Sequence, residues 1–350
     1  MTTMTDDTAH APAPAHDDEP KSKPKKRSRL RMMFYTLLLL IVGGAALWTF
    51  GPREDASTVL AYDEQAISDD LDAYLADREA QFPDIREGAE KEIVWAFPTS
   101  KARTPVALVF IHGFSASKGE VRPLPDLAAN GLDANLFLTR LAGHGRSGAA
   151  MAEPTVQDWF DDVTEAIAIG ERLGDKVILV TVSTGGTLAA LAATHPQLKD
   201  RIDGIVFIAP NFKLNNPTAW MITAPFAEQL LPVVAGAERG FEPKNELHAR
   251  YWTERYPTIG LMPMGAAVKR AQSANYYNVT TPALFVFSDN DQIVDHTMTR
   301  QIEAKWAGPT RIITVEDAAD VQNHVIAGDA MSPNTTERLA GNIVEWLKSL

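Results

Sequence analysis

The chain contains no cysteine among its 350 residues. This absence excludes disulfides, thiolate metal sites, a cysteine nucleophile and a lipid anchor attached to cysteine. No group of histidine and carboxylate side chains has the spacing of metal ligands either, so we expect neither a metal nor a cofactor. Hydrophobic residues make up 45% of the chain and charged residues 22%, which is typical of a globular protein with a sizeable core.

Charge is also missing from a twenty-residue run, MMFYTLLLLIVGGAALWTFG, at residues 32–51. As a helix rising about 1.5 Å per residue, this run is long enough to cross a hydrocarbon core about 30 Å thick. Seven basic residues lie just before it, in KSKPKKRSRLR. The pattern predicts a disordered, basic cytoplasmic tail at 1–31 and a single-pass anchor in the inner (cytoplasmic) membrane, with the remaining chain periplasmic or extracellular. A cleaved signal peptide is the alternative, although its apolar region is usually about 7–15 residues.

The formal net charge of the chain is −12. Residues 1–31 contribute seven basic and five acidic side chains, so the rest of the chain is more acidic than the whole. An acidic body of this kind argues against binding to nucleic acid. The predicted partners are therefore a lipid bilayer, through residues 32–51, and a small molecule.

The chain after residue 51 divides into two predicted parts. Residues 52–91 form a connector, in which Ile67, Leu71 and Leu75 have the spacing of one amphipathic helix lying on the domain or on the membrane. From residue 92 to 350, short β-branched runs alternate with helical stretches, which predicts an α/β domain with a mostly parallel sheet and helices on both faces. The predicted strands are EIVWAF, PVALVFIH, ANLFLTRL, KVILVTV, GIVFIAP, ALFVFS and TRIITV.

Residues 211–278 interrupt this alternation. The segment is rich in methionine and aromatic residues and contains no strand-like run, so it predicts a mostly helical cap inserted over the sheet. Its apolar side chains either form the cap's own core or line a pocket for an apolar substrate.

A serine stands where a predicted strand turns into a predicted helix, in VTVSTGGTL. Ser183 follows KVILVTV and precedes a helix at 184–195, so it lies at the carboxyl edge of the sheet, where reactive groups of α/β proteins collect. Unpaired N–H groups at a helix N-terminus stabilise developing negative charge. Gly185 and Gly186 allow close packing, whereas Thr181 replaces the first glycine of the G-x-S-x-G turn. The alternative is that Ser183 only caps the helix.

A nucleophilic serine needs a base, and the base needs an acid that orients it. The segment ALFVFSDNDQIVD offers Asp289, Asp291 and Asp295, each after a late strand. His324 follows the next predicted strand and precedes the last helix, which gives the order serine, acid, histidine. His296 is a rival base, but it is predicted to begin a helix too close to these carboxylates.

Acyl transfer also requires backbone N–H donors for the oxyanion. One is the residue after the nucleophile, Thr184, and the other is predicted at Phe114 in the loop FIHGFSAS. His112 in this loop is predicted to be structural.

Taken in order, HGF, RLAGHGRSG, the serine turn, SDNDQIVD and NHV resemble the α/β-hydrolase superfamily, over roughly residues 92–350. They are most similar to its monoacylglycerol lipase-like and carboxylesterase-like members with a helical cap. The resemblance implies an α/β-hydrolase fold with Ser183 as nucleophile, Asp291 as acid and His324 as base, and with Phe114 and Thr184 as oxyanion donors. Asp291 is selected by the family's G-x-x-D loop, in which Ser288 stands here for the glycine.

The function that follows is a membrane-anchored serine hydrolase of carboxylic esters. An acyltransferase with the same triad and a non-catalytic, tethered binding protein are the two alternatives.

One further motif, GHGRSG at 143–148, matches the dinucleotide-binding pattern G-x-G-x-x-G. No long helix is predicted after it and no acidic residue ends a second strand, so it is predicted to be a turn in a hydrolase loop.

Overall fold

A computed structural model describes residues 1–4 and 26–350 of the chain, with the side chains of residues 26–28 left out. Two compact units are present, Met1–Gly51 and Pro52–Leu350. The predicted disorder of the basic tail at 1–31 falls largely on residues outside the described ones.

The first unit contains helix α1, Lys26–Phe50. Its segment Arg29–Phe50 has 22 residues and a mean hydropathy of 1.9, so it is long and apolar enough to cross a membrane, as a signal sequence also would be. The helix begins six residues before the uncharged run, inside the basic stretch, because lysine and arginine are good helix formers.

In the described residues 52–350, the second unit contains nine strands, and all except β6 and β7 follow the predicted runs closely. They are β1 Glu92–Val94, β2 Thr104–Ile111, β3 Asn135–Leu138, β4 Gly174–Val182, β5 Gly204–Ile208, β6 Glu238–Gly240, β7 Arg255–Pro257, β8 Ala283–Phe287 and β9 Thr310–Thr314.

Helices lie between most of these strands. They are α2 Leu71–Glu79, α3 Leu124–Asn130, α4 Val156–Leu173, α5 Thr184–Thr194, α6 Ala227–Val234, α7 Glu246–Tyr251, α8 Leu261–Gln272, α9 His296–Glu303 and α10 Pro333–Lys348.

Seven strands form one sheet in the order β1-β3-β2-β4-β5-β8-β9. Strand β1 pairs antiparallel with β3, and the other neighbours pair in parallel. All seven strands predicted from the sequence are in this sheet, and the prediction of a mostly parallel α/β architecture is confirmed.

The core lies on both faces of the sheet. On β2, Val109 and Ile111 belong to one buried cluster, whereas Leu108 and Phe110 belong to the other. This alternation follows from the two-residue period of a strand. Both faces need apolar cover, which is why the strands read as continuous apolar runs rather than alternating ones.

Helix α4 shows how the sequence sets an element's ends. Thr155 caps its N-terminus in a reciprocal capping box with Asp158, and Gly174 follows its last residue. Both boundaries agree with the sequence pattern.

Residues 52–91 pack against the sheet domain. Ile67, Leu71 and Leu75 are all buried in one core cluster, but the helix begins only at Leu71 and Ile67 has an extended backbone, so the prediction of one helix through all three was wrong. Near the end of the segment, Glu79 accepts two hydrogen bonds from Arg140, at 2.8 and 2.7 Å. A buried ion pair of this geometry ties the segment to the loop after β3.

The cap occupies the connection between β5 and β8 and contains α6, α7 and α8, as predicted. The cap also contains two short strands that no run in the sequence indicates, β6 and β7, which pair antiparallel. Each strand has only three residues and carries charged residues, glycine or proline, so neither produces an apolar period that a sequence pattern can detect.

The GHGRSG motif is a turn, as predicted. Gly143 and Gly145 adopt positive φ angles of 77° and 67°. The segment after it forms only a short 3-10 helix, Ala149–Ala152, so no helix N-terminus is available to bind a dinucleotide.

Replacing Gly185 with alanine tests the packing of α5 on the sheet. A Cβ at this position would lie 2.2 Å from the carbonyl oxygen of Ile111 and 2.8 Å from that of His112. Because backbone must move, we expect Gly185→Ala to lower the free energy of unfolding by about 2–4 kcal/mol. Gly341→Ala in α10 is the matched control, since a Cβ there meets nothing within 4 Å. It should stabilise by about 0.5–1 kcal/mol in denaturant unfolding, and equal effects at both sites would contradict the packing argument.

Candidate active site

The loop between β4 and α5 consists of a single strained residue, Ser183. Its φ of 49° and ψ of −113° lie outside the regions that L-residues favour. Non-glycine residues in such regions cost about 1–3 kcal/mol and cluster at functional sites. Ser183 stands at the N-cap position, yet its side chain makes no capping hydrogen bond. The hydroxyl is therefore free to bond elsewhere.

The threonine that departs from the glycine-first motif is accommodated inside the sheet. Thr181 is fully buried, and its hydroxyl donates a 3.0 Å hydrogen bond to the carbonyl of Val206 on β5. Close approach of α5 to the sheet is instead made by Gly185 against β2. The packing of α5 on the sheet therefore does not need a glycine at position 181.

Three side chains from separate loops meet at the carboxyl edge of the sheet. His324 Nε2 lies 3.1 Å from Ser183 Oγ, and His324 Nδ1 lies 2.8 Å from Asp291 Oδ2. The other carboxylate oxygen of Asp291 accepts the N–H groups of Ile293 and Val294 at 2.8 and 2.9 Å. These contacts fix the carboxylate, which in turn orients the imidazole.

The rival residues have other partners. Asp289 forms a bidentate ion pair with Arg300, at 2.7 and 2.8 Å. Asp295 caps α9 and binds Lys213 at 2.8 Å. His296 begins α9, as predicted, and lies 4.0 Å from Asp289. Of the three carboxylates, only Asp291 meets the imidazole of His324.

The loop that carries His324 is organised by a residue that sequence reasoning missed. Asp320 is buried, and its Oδ2 accepts the backbone N–H groups of His324 and Val325, both at 3.1 Å. Its other oxygen binds Lys244 of the cap at 2.6 Å. An aspartate four residues before a histidine in a loop is the only sequence signal, and it is common in turns.

The electrostatic environment favours the protonated imidazole. Burial alone would lower the pKa of His324, but the negative charge and hydrogen bond of Asp291 outweigh it, with help from Glu120 and Asp320. The pKa of His324 is therefore raised above its ordinary value of 6.5. A histidine poised in this way accepts a proton readily near neutral pH.

Phe114 and Thr184, the two expected oxyanion donors, line the same cavity as Ser183, and their backbone N–H groups have no protein acceptor in the described part of the chain. Thr184 is the first residue of α5, where an N–H has no partner within the helix. The Phe114 loop is held by His112, which lies next to the carbonyl of Gly113 and accepts the N–H of Leu141 at 3.1 Å. Burial lowers the pKa of His112 to about 4, so this imidazole is neutral and structural, as predicted.

Glu120 is a second residue that the sequence did not single out. Its carboxyl is buried under the same loop and accepts the Gly113 N–H at 2.6 Å. Burial raises the pKa of Glu120 to about 7, against the opposing effects of that hydrogen bond and of His324. Nothing in the loop sequence except its distance from the HGF motif distinguishes this glutamate.

A cavity of about 770 Å³ connects the site with the cap. Ser183, His324 and Glu120 lie on the sheet side of it. Two polar atoms in the wall, Thr184 Oγ1 and Asn211 Oδ1, are buried without a partner among the described residues. Apolar side chains make up much of the remaining wall, among them Leu214, Ile222, Leu231, Leu261 and Met264.

The chain is similar to known lipases and esterases. It is 28% identical over 215 residues to a thermostable monoacylglycerol lipase of Bacillus sp. (strain H-257), covering 61% of this chain and 78% of that protein. A structure from work on the metagenome-derived lipolytic enzymes LipS and LipT aligns with a TM-score of 0.60 at 22% identity, over 76% of this chain and 100% of the other. The monoacylglycerol lipase of Paleococcus ferrophilus aligns with a TM-score of 0.54 at 20% identity, over 74% and 98%.

These structural likenesses establish the fold, and the resemblance expected from the sequence motifs is confirmed. The profile of the alpha/beta hydrolase family matches residues 108–330, which is more than half of the chain. The protein is therefore a member of the alpha/beta hydrolase family.

Proposed function

We propose that the protein is a serine hydrolase of carboxylic esters, with Ser183 as nucleophile, His324 as base and Asp291 as the acid that orients the base. The observation that carries this proposal is the continuous line of hydrogen bonds from Asp291 through both ring nitrogens of His324 to the Ser183 hydroxyl, with distances of 2.8 and 3.1 Å. Nucleophile, base and orienting acid within such reach are the signature of covalent acyl-transfer catalysis.

The reaction begins when Ser183 Oγ attacks the ester carbonyl carbon while His324 Nε2 takes the hydroxyl proton. The N–H groups of Thr184 and Phe114 bind the oxyanion, helped by the positive end of α5. The imidazolium then gives its proton to the leaving alkoxide, which departs as the alcohol and leaves Ser183 acylated. Water attacks this ester with His324 again as base, which releases the carboxylic acid and restores the serine.

The substrates we propose are esters with an apolar acyl group, such as monoacylglycerols or lysolipids. The apolar cavity wall under the cap supports this choice, and so does the similarity to monoacylglycerol lipases.

We also propose that residues 32–51 anchor the enzyme in the inner membrane, with residues 1–31 cytoplasmic and the catalytic domain outside the cytoplasm. The apolar segment of α1 and the basic residues before it support this orientation. An anchored domain would meet lipid esters at the membrane.

Replacing the proposed nucleophile tests the function directly. A p-nitrophenyl ester series of increasing acyl length should be hydrolysed by the full chain, and Ser183→Ala should lose about 10³–10⁶-fold in kcat, because no covalent path remains. A fluorophosphonate should label the wild-type protein and not the variant. Absence of both turnover and labelling in a folded wild-type protein would point to a binding protein instead. Transfer of the acyl group to an added alcohol in preference to water would point to an acyltransferase.

The raised pKa of His324 predicts the pH dependence of the reaction. The base must be neutral, so kcat/KM should fall as the pH is lowered through the pKa of His324, with its acid midpoint above pH 6.5. Asp291→Asn removes the main charge that holds the proton on the ring. We expect its acid midpoint to move to lower pH and its turnover to fall by about 10³–10⁴-fold. An acid midpoint at or below pH 6.5 in the wild type would contradict this assignment.

The anchor is tested by fractionation of cells that produce the full chain. We expect the protein to stay in the membrane pellet after an alkaline carbonate wash, with the intact mass of the uncleaved chain. A variant with Leu38, Leu39 and Leu40 replaced by lysine should be lost from the pellet, since charges at a helix centre cost about 2.5–3.5 kcal/mol each. A shortened mass of the wild type would indicate signal-peptide cleavage.

A further inference from the structure

A buried carboxyl that the proposed reaction does not use lies under the oxyanion loop. Glu120 is 3% exposed and lines the same cavity as Ser183 and His324. Its Oε2 accepts the N–H of Gly113, the residue just before Phe114, at 2.6 Å. The contact is a charge-assisted hydrogen bond when the carboxyl is ionised.

Gly113 shows how closely this carboxyl approaches the nucleophile. A Cβ built on Gly113 would lie 2.7 Å from Glu120 Oε1 and 3.1 Å from the Cβ of Ser183. The carboxyl and the serine therefore flank the same glycine, and no side chain fits between them. Glu120 thus contacts the loop at the point that sets where the Phe114 N–H is directed.

Glu120 also interacts electrostatically with the base. Each of Glu120 and His324 favours the charged form of the other. The remaining charged groups around His324 are Asp291, which binds its ring, and Asp320, which binds its backbone and also binds Lys244. Other titratable or charged side chains that line the cavity belong to the cap: Arg239, Glu242, His248 and Tyr256.

We propose that Glu120 is a positioning residue of this site, which holds the oxyanion loop through Gly113 and stabilises the protonated imidazole of His324 with its negative charge. Imidazolium and oxyanion form together when the serine attacks. A fixed anion beside the imidazolium lowers the energy of this state without touching substrate. Because a negative charge close to the oxyanion would oppose catalysis, the hydrogen bond to Gly113 matters: it turns the carboxylate toward the loop backbone. The inference rests on the proposed hydrolase function.

Two substitutions separate the two roles. Glu120→Gln keeps an acceptor for the Gly113 N–H and removes the charge. We expect it to move the acid midpoint of kcat/KM to lower pH by about 0.5–1 unit and to lower the plateau by about tenfold, which corresponds to a loss of about 1.4 kcal/mol of charge interaction. Glu120→Asp keeps the charge and draws it back from the loop. Its acid midpoint should lie closer to the wild-type value than that of Glu120→Gln, while its kcat should fall by about tenfold or more.

The matched control is Glu92→Gln. Glu92 lies on β1, outside the cavity. It binds Lys118 and Arg122, which flank Glu120 in the sequence, at 2.8 and 3.0 Å. Its loss removes a carboxylate near the loop and should leave the pH midpoint unchanged.

A second readout does not depend on turnover. The titration of the His324 ring, followed by NMR in the full-length protein, should move to lower pH in Glu120→Gln and not in Glu92→Gln. The role of Glu120 would be overturned if the wild type hydrolyses esters but the wild type, Glu120→Gln and Glu92→Gln all have the same acid midpoint and the same His324 ring titration. Absence of wild-type hydrolysis would instead overturn the proposed function, and a shifted ring titration would still support the electrostatic contact.

Discussion

The close approach of helix α5 to the ends of the central strands is the constraint on which the candidate site depends. Gly185 brings the first turn of the helix against the carbonyl oxygens at the end of β2, closer than any side chain allows. The chain must therefore turn within one residue, and Ser183 takes the strained conformation that results. Strain of this size is held by the surrounding sheet, in which β4 is paired on both sides.

The order of strands in the sheet explains why residues far apart in the sequence meet. Ser183 and His324 are 141 residues apart, and Asp291 and His324 are 33 apart. The three residues follow β4, β8 and β9. These strands lie in one half of the sheet, where the order is β4-β5-β8-β9. Parallel strands bring their carboxyl ends to one edge, so the loops after them share one space. The cap is inserted between β5 and β8 and encloses this space from above, so one topology supplies both the candidate catalytic groups and the cavity.

Sequence patterns predicted the parts of the molecule that have a period or a motif. The seven strands of the large sheet were found because burial on both faces makes each a continuous apolar run bounded by turn residues. The ends of α4 were found because Thr155 and Gly174 are cap residues. The small strand pair β6–β7 was missed because three residues are too few to show alternation. The assignment of roles to Ser183, Asp291, His324, Phe114 and Thr184 still rests on their order and geometry.

Two acidic residues near His324, Asp320 and Glu120, could not be predicted from the sequence, for a different reason. The effects of Asp320 and Glu120 on His324 depend on the folded structure. Both carboxyls are buried, and both accept hydrogen bonds from backbone N–H groups. Neither property leaves a local pattern, because an aspartate or glutamate in a loop is most often solvated. A buried carboxylate without compensation is costly, so each must gain partners in the fold. Asp291 has two backbone N–H groups and the imidazole, Asp320 has Lys244 and backbone N–H groups, and Glu120 has the Gly113 N–H.

These three carboxyls differ in their bonding partners, and each therefore affects the imidazole of His324 in a different way. Asp320 binds Lys244 with one oxygen and accepts the backbone N–H groups of His324 and Val325 with the other, so it holds the backbone of the loop. Asp291 is fixed by backbone donors and directs its second oxygen at the ring, so its charge acts on Nδ1 along a short hydrogen bond. Glu120 has no cationic side chain among its hydrogen-bond partners in the described residues, and burial already favours its neutral form. The charges of Glu120 and His324 also act on each other: the imidazolium lowers the pKa of Glu120, and the carboxylate raises the pKa of His324. Protonation of His324 therefore favours the ionised form of Glu120.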